Sequence, residues 1–159
     1  MHKSFFAFMI LIVCLTLASG CCRRTQTLED ASKAYLAGNY DKAAEIFHPK
    51  AQSGDPEAQV NIAFMYYCGL GKPRNLEKAV EYYTKSAQQG NMTAQFSLGT
   101  LYENGEGVEQ NFAQAFFWYS LAEKQGDNDA ARLRKEIEPR IEKEELELVK
   151  QKLQAWLSL

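Results

Sequence analysis

The fourteen residues Ala58-Gln59-Val60-Asn61-Ile62-Ala63-Phe64-Met65-Tyr66-Tyr67-Cys68-Gly69-Leu70-Gly71 return 36 positions later as Ala94-Gln95-Phe96-Ser97-Leu98-Gly99-Thr100-Leu101-Tyr102-Glu103-Asn104-Gly105-Glu106-Gly107. Extending the comparison through Asn75/Asn111, Ala79/Ala115, Tyr83/Tyr119, Gln89/Gln125 and Gly90/Gly126 gives ten identities in one 36-residue unit. About two would arise by chance at ordinary composition. Each unit reads as helix, turn, helix. The first helix, about Pro56 to Tyr67, has Asp55 as its cap and Pro56 at its first helical position, with Ala58, Ile62, Met65 and Tyr66 on one face. Gly69 and Gly71 break it. The second, about Leu76 to Gln89, follows Asn75 as cap, turns Ala79, Val80, Tyr83 and Ala87 to one side, and stops at Gly90. The second unit repeats the plan with Ala94, Leu98, Leu101 and Tyr102, then Ala115, Phe116, Tyr119 and Ala122.

Working outward, 28–54 reads as a degenerate first copy, in which Tyr35 and Gly38 stand for Tyr66 and Gly69 across a loop five residues shorter. Pro49 falls inside its second helix and is expected to kink or end it near Phe47. Complete units occupy 55–90 and 91–126. Residues 127–159 supply a further first helix from about Asn128 and, beyond Pro139, an amphipathic last helix of about Arg140 to Leu157, suited to capping the open end. The fold class expected is all-α, an α/α solenoid of helix-turn-helix repeats with a C-terminal capping helix.

The elements Ala58-Gln59, Ile62-Ala63, Met65-Tyr66 and Gly69-x-Gly71, then Lys78-Ala79, Tyr82-Tyr83 and Ala87-x-x-Gly90, resemble the Sel-1-like repeat, a tetratricopeptide-related family. Leu98-Gly99, Leu101-Tyr102, Gly105-x-Gly107-Val108, Ala115, Trp118-Tyr119 and Gln125-Gly126 are closer still. Departures are Ala63 where the family prefers Gly, Lys72 where it prefers Val, and Glu123 where Ala is usual. The resemblance implies an adaptor or binding scaffold. Some cysteine-rich members staple each repeat with a disulfide, but Cys68 has Asn104 at the equivalent place, so no such staple is expected. A half-buried free thiol, or pairing with Cys22 or another chain, remains open for Cys68.

The N-terminus has a different organisation. Lys3 precedes Phe5 to Ala18, fourteen uncharged residues, and then the small residues Ala18, Ser19 and Gly20 before Cys21. This is too short to span a bilayer comfortably, which takes roughly 20 apolar residues, and is laid out as an export signal over 1–20. It resembles the lipobox of bacterial lipoproteins, which implies lipidation of Cys21, a short tether over 21–27, and, with Cys22 following, the outer membrane if the source is Gram-negative. Cleavage after Gly20 by an ordinary signal peptidase and an uncleaved anchor stay open. The expected location is exported, in the periplasm or cell envelope.

The composition is that of one ordinary domain: 159 residues, 46% hydrophobic, 24% charged, net charge -2. No basic excess is present to neutralise phosphates, so nucleic acid is not expected as a partner. Catalytic chemistry finds little to work with. Beyond the signal His48 is the one histidine, and the run Glu142, Glu144, Glu145, Glu147 alternates with lysines as a solvated face does. No catalytic residue, metal ligand or cofactor is expected. In repeats of this kind the first helices line the concave side and a groove there accepts peptides. Val60, Phe64 and Tyr67 of one unit and Phe96, Thr100 and Glu103 of the next face that side at matching spacings, and either form a partner-binding patch or belong to the inter-repeat core. The function expected is a non-enzymatic protein–protein interaction scaffold at the envelope, binding another protein or peptide in the groove and the membrane through a lipid. An envelope hydrolase acting on cell-wall material, or an accessory to one dedicated partner, are the alternatives.

Overall fold

The computed structural model describes residues 26–158, and all its regular elements are helices: α1 Leu28–Leu36, α2 Tyr40–Gln52, α3 Pro56–Cys68, α4 Leu76–Gln88, α5 Met92–Asn104, α6 Phe112–Lys124, α7 Asn128–Ile137, a 3-10 turn Glu138–Arg140, and α8 Lys143–Leu157. From α1 to α7 each helix packs on the next, most extensively within the pairs α3/α4 and α5/α6, and the chain forms an all-α solenoid of helix-turn-helix repeats.

Local chemistry sets these boundaries. Thr27, Asn39, Asp55, Asn75, Asn91, Asn111 and Asp127 each accept a hydrogen bond from the backbone N–H three residues on, so seven successive helices start on a side-chain cap. α3 and α5 both end at a left-handed glycine: Gly69 and Gly105 have φ 72° and ψ 34°. The following caps tie back identically, Asn75 N–H donating to Tyr66 O and Asn111 N–H to Tyr102 O, both at 2.9 Å. The 36-residue sequence period is thus also a backbone period.

The repeated glutamines lock neighbouring units together. Gln59 and Gln95, both buried, reach back from the first turn of α3 and α5 to donate to the carbonyls of Ala51 and Ala87, the previous helix ends, each at 3.2 Å. Their side-chain oxygens accept in turn from Gln89 and Gln125, at 2.8 and 2.7 Å. A buried amide satisfied on both sides adds directionality at little net cost, whereas a lone one would cost about 1–3 kcal/mol.

Two expectations are corrected. Pro49 does not end α2, which runs to Gln52. The carbonyl left without its helical donor belongs to Glu45, which like Pro49 is exposed, so water can satisfy it. Only one turn then remains, closed by Ser53 N–H donating to Pro49 O at 3.0 Å. The last helix starts at Lys143, because Pro139 is spent in the 3-10 turn.

α8 folds back onto α6. The reason lies in one exchange between repeats. The outer face of α4 carries Glu77, Glu81 and Lys85, all exposed, while the equivalent positions of α6 are Ala113, Phe117 and Leu121, all buried. Trp156 of α8 meets Phe117 and Trp118 edge-on, with ring centroids 5.8 and 6.2 Å apart, and Lys152 lies 5.0 Å above Phe117. Lys150 of α8 also pairs with Glu138, at 3.2 Å. The Trp118 indole N–H is buried without an acceptor, a cost carried by this aromatic seam.

Candidate partner-binding cleft

Between the first helices of the two complete repeats lies an open cleft of about 180 Å³, lined by Phe64 and Tyr67 of α3, Tyr83 of α4, and Phe96, Ser97, Thr100 and Leu101 of α5. Phe64 is 40% exposed, while Tyr67 and Phe96 are half-buried against the core. Four of the six residues expected from sequence therefore meet in one place. Val60 and Glu103 do not line it: Val60 packs against the core, and Glu103 accepts the Tyr119 hydroxyl at 2.7 Å.

A difference between the repeats shapes the walls. Gly99 has no Cβ, and one placed there would stand 2.6 Å from the ring of Tyr119, so the ring rests directly against α5. Its hydroxyl then reaches Thr100 at 3.2 Å and Glu103. The equivalent of Gly99 in the first repeat is Ala63, whose methyl denies Tyr83 that position. Tyr83 instead comes up beside Ser97 of the following repeat and becomes a wall of the cleft. The Tyr67 carbonyl accepts from Arg74 Nε at 3.1 Å, and the Glu106 carboxylate near its hydroxyl raises the phenol's pKa. The Arg74 guanidinium lies 6.0 Å from the Tyr67 ring centre. Tyr83 and Leu101 read from sequence as core, and Ser97 has no periodic signature at all. The only signal for them was the Ala63-for-Gly99 exchange, whose effect is read in three dimensions.

Burial pushes the Tyr83 phenol up to about 12, partly offset by Ser97 beside it, and pushes Tyr119 upward as well. An unfolded tyrosine releases its proton near pH 10, so between pH 10 and about 12 the folded state binds more protons. Stability from Tyr83 is complete below pH 10 and falls as pH rises towards 12. In alkaline melts the midpoint is expected to drop over this window, and Tyr83→Phe to flatten the drop; an unchanged slope in the variant would refute it.

Elsewhere the titratable groups are dispersed. His48 is half-buried in α2, its Nδ1 3.4 Å from the Tyr82 hydroxyl, and burial with Lys72 and Lys78 nearby lowers its pKa. Cys68 is free and exposed at the end of α3, not half-buried, because the helix turns outward at Gly69. Among the described residues no group of three or more His, Cys, Asp or Glu is placed to hold a metal ion, and no helix is long and apolar enough to cross a membrane. A larger hollow of about 480 Å³ between α1 and α2 borders Gln26, the first described residue, and mixes Asp30, Lys33, Asn39 and Lys42 with Ala34, Ala37 and Ile46. The segment 1–20 expected to be a signal, Cys21 with its expected lipidation, and all but the last two residues of the expected tether 21–27 lie outside the described residues.

The Sel1 repeat family model matches residues 56–91 and 93–127. A Sel1 repeat protein from Oxalobacter formigenes, known from its crystal structure, is 33% identical with a TM-score of 0.65, over 68% of this chain and 44% of its own length. The crystal structure of c5321, a protective antigen present in uropathogenic Escherichia coli strains and displaying an SLR fold, is 25% identical with a TM-score of 0.77, over 82% of this chain and 29% of its own length. The chain thus spans less than half of either protein. No curated protein matches it.

Proposed function

We propose that this chain, which carries two Sel1 repeats, acts as a non-enzymatic protein-interaction module held at the bacterial cell envelope, with the cleft between α3 and α5 as its contact. The Sel1-repeat fold is a protein–protein interaction scaffold. What supports the site is the coincidence of an exposed Phe64 with a ring-sized apolar hollow. A space of about 150 Å³ lined by apolar side chains accepts a benzene ring, and this cleft is of that order at about 180 Å³. A partner side chain entering it would meet rings on both walls, the arrangement found at the anchoring points of interfaces. Export rests on the segment from Met1 to Cys21, and anchoring on lipidation of Cys21; stable anchoring takes more than one acyl chain, which triacylation supplies.

Crosslinked affinity capture from membranes tests the module. The wild type is expected to retain a partner that Phe64→Glu/Phe96→Glu loses while its helical circular dichroism is kept. Retention by the folded double variant would move the contact elsewhere, and capture of nothing by either protein would count against the adaptor reading. For anchoring, Cys21→Ala is expected to abolish labelling by radioactive palmitate; labelling that survives would overturn it.

A further inference from the structure

The cleft has an asymmetric charged rim. Its walls are rings and methyl groups, yet two of them lead directly to carboxylates. The Glu106 carboxylate lies close enough to the Tyr67 hydroxyl to raise its pKa, and the Thr100 hydroxyl lies 3.2 Å from the Tyr119 hydroxyl, which donates to Glu103 at 2.7 Å. Glu103 lies in the last turn of α5 and Glu106 just beyond it, near Tyr67 at the end of α3. The carbonyls of Tyr66, Tyr67, Tyr102 and Glu103 there are already taken, by Asn75 N–H, Arg74 Nε, Asn111 N–H and Gln110 Nε2, so the negative charge of the rim is that of the two carboxylates. Of the cations nearby, Arg74 lies over the Tyr67 ring with its Nε committed to the Tyr67 carbonyl, and Arg132, whose charge reaches the Tyr119 hydroxyl, is paired with Asp129 and Glu136. Neither carboxylate is engaged by another side chain's positive charge at ion-pair distance among the described residues.

We propose that the cleft takes one aromatic or large aliphatic side chain from a partner segment that carries a lysine or arginine two or three residues away, the cation settling against Glu103 and Glu106. This rests on the reading of the cleft as the contact site and adds the partner's chemistry. The volume admits one ring, so a single anchor is specified and not a row of them. The cation selects register and orientation, because a carboxylate on the partner would face like charge.

The test uses the protein with synthetic nine-residue peptides having phenylalanine at the centre and lysine, serine or glutamate two and three positions to either side. Fluorescence anisotropy is expected to rank them lysine tightest and glutamate weakest. Glu103→Gln/Glu106→Gln should erase the preference for lysine, weakening that peptide by about threefold to tenfold, since exposed charge pairs contribute about 1.4- to 5-fold each. The amide oxygen that Glu103→Gln introduces still accepts from the Tyr119 hydroxyl, so the wall is kept. Raising salt should reduce lysine-peptide binding in the wild type and not in the double variant. No ranking, a reversed ranking, or a ranking that survives the double variant overturns the proposal. If the peptides bind without ranking and Phe96→Ala abolishes binding, the cleft stands and the partner chemistry is wrong; if Phe96→Ala leaves binding intact, or no peptide binds, the cleft reading fails with it.

Discussion

Gly107→Ala is expected to lose about 3 kcal/mol of stability, lowering the thermal midpoint by about 10 °C. Gly107 has φ 72°, a left-handed conformation that costs a residue with a Cβ about 1–2 kcal/mol. The added methyl would also stand 2.7 Å from the backbone of Leu76, at the start of α4, which has no rotamer to yield with. Gly90→Ala separates the two effects. It shares the positive φ, at 89°, but opens onto empty space, so only the backbone cost of about 1 kcal/mol should appear. Chemical denaturation of both variants measures the difference; equal losses would mean that the loop does not bear on α4. Gly71 repeats the device one unit earlier, its position for a Cβ falling 2.4 Å from Tyr40 O at the start of α2. The glycine pair of each repeat therefore has two jobs, the first turning the chain and the second letting the loop touch the preceding repeat.

Tyr119→Ala should cost about 4 kcal/mol, the middle of the range for removing a buried ring. Tyr119 is fully buried, lies on Gly99 and tilts against Phe96 with ring centres 5.8 Å apart. Tyr119→Phe, which keeps the ring and frees Thr100 and Glu103 of its hydroxyl, should lose only about 1 kcal/mol. The contact with Gly99 is checked by a double-mutant cycle. Gly99→Ala is expected to destabilise the wild type by about 2 kcal/mol and to cost almost nothing once Tyr119 is alanine. Additive losses would show that the two residues do not press on each other. The same cycle read by peptide affinity reports on the cleft, since Tyr119 braces Phe96 and Thr100, two of its walls.

Much of the fold was legible in local chemistry. The 36-residue period, the Asx caps and the glycine stops each act within a few residues, and the helices lie where those signals put them, to within a residue for α3, α4, α5 and α6. Pro49 does not stop α2, because whether a proline stops a helix depends on whether the carbonyl it orphans meets water. The seat of α8 was half legible: the change of Glu77, Glu81 and Lys85 into Ala113, Phe117 and Leu121 says that α6 has an extra apolar face, but not which helix covers it. Of the cleft, the stripe on α3 and α5 was legible from spacing, and its third wall was not. Tyr83 and Tyr119 occupy the same repeat position, and what sends one hydroxyl across to Ser97 and the other into its own repeat is a methyl on a neighbouring helix.

By itself the sequence determined the repeat, the helix boundaries and the choice of face for each first helix, because caps, turns and 3.6-residue periodicity are set by neighbours along the chain. The tertiary structure alone decided which buried glutamine bonds which carbonyl, where α8 rests, and that Phe64 stays partly exposed beside a ring-sized hollow. Those outcomes depend on side-chain volume matched between residues some thirty positions apart, a quantity close packing balances over all contacts at once.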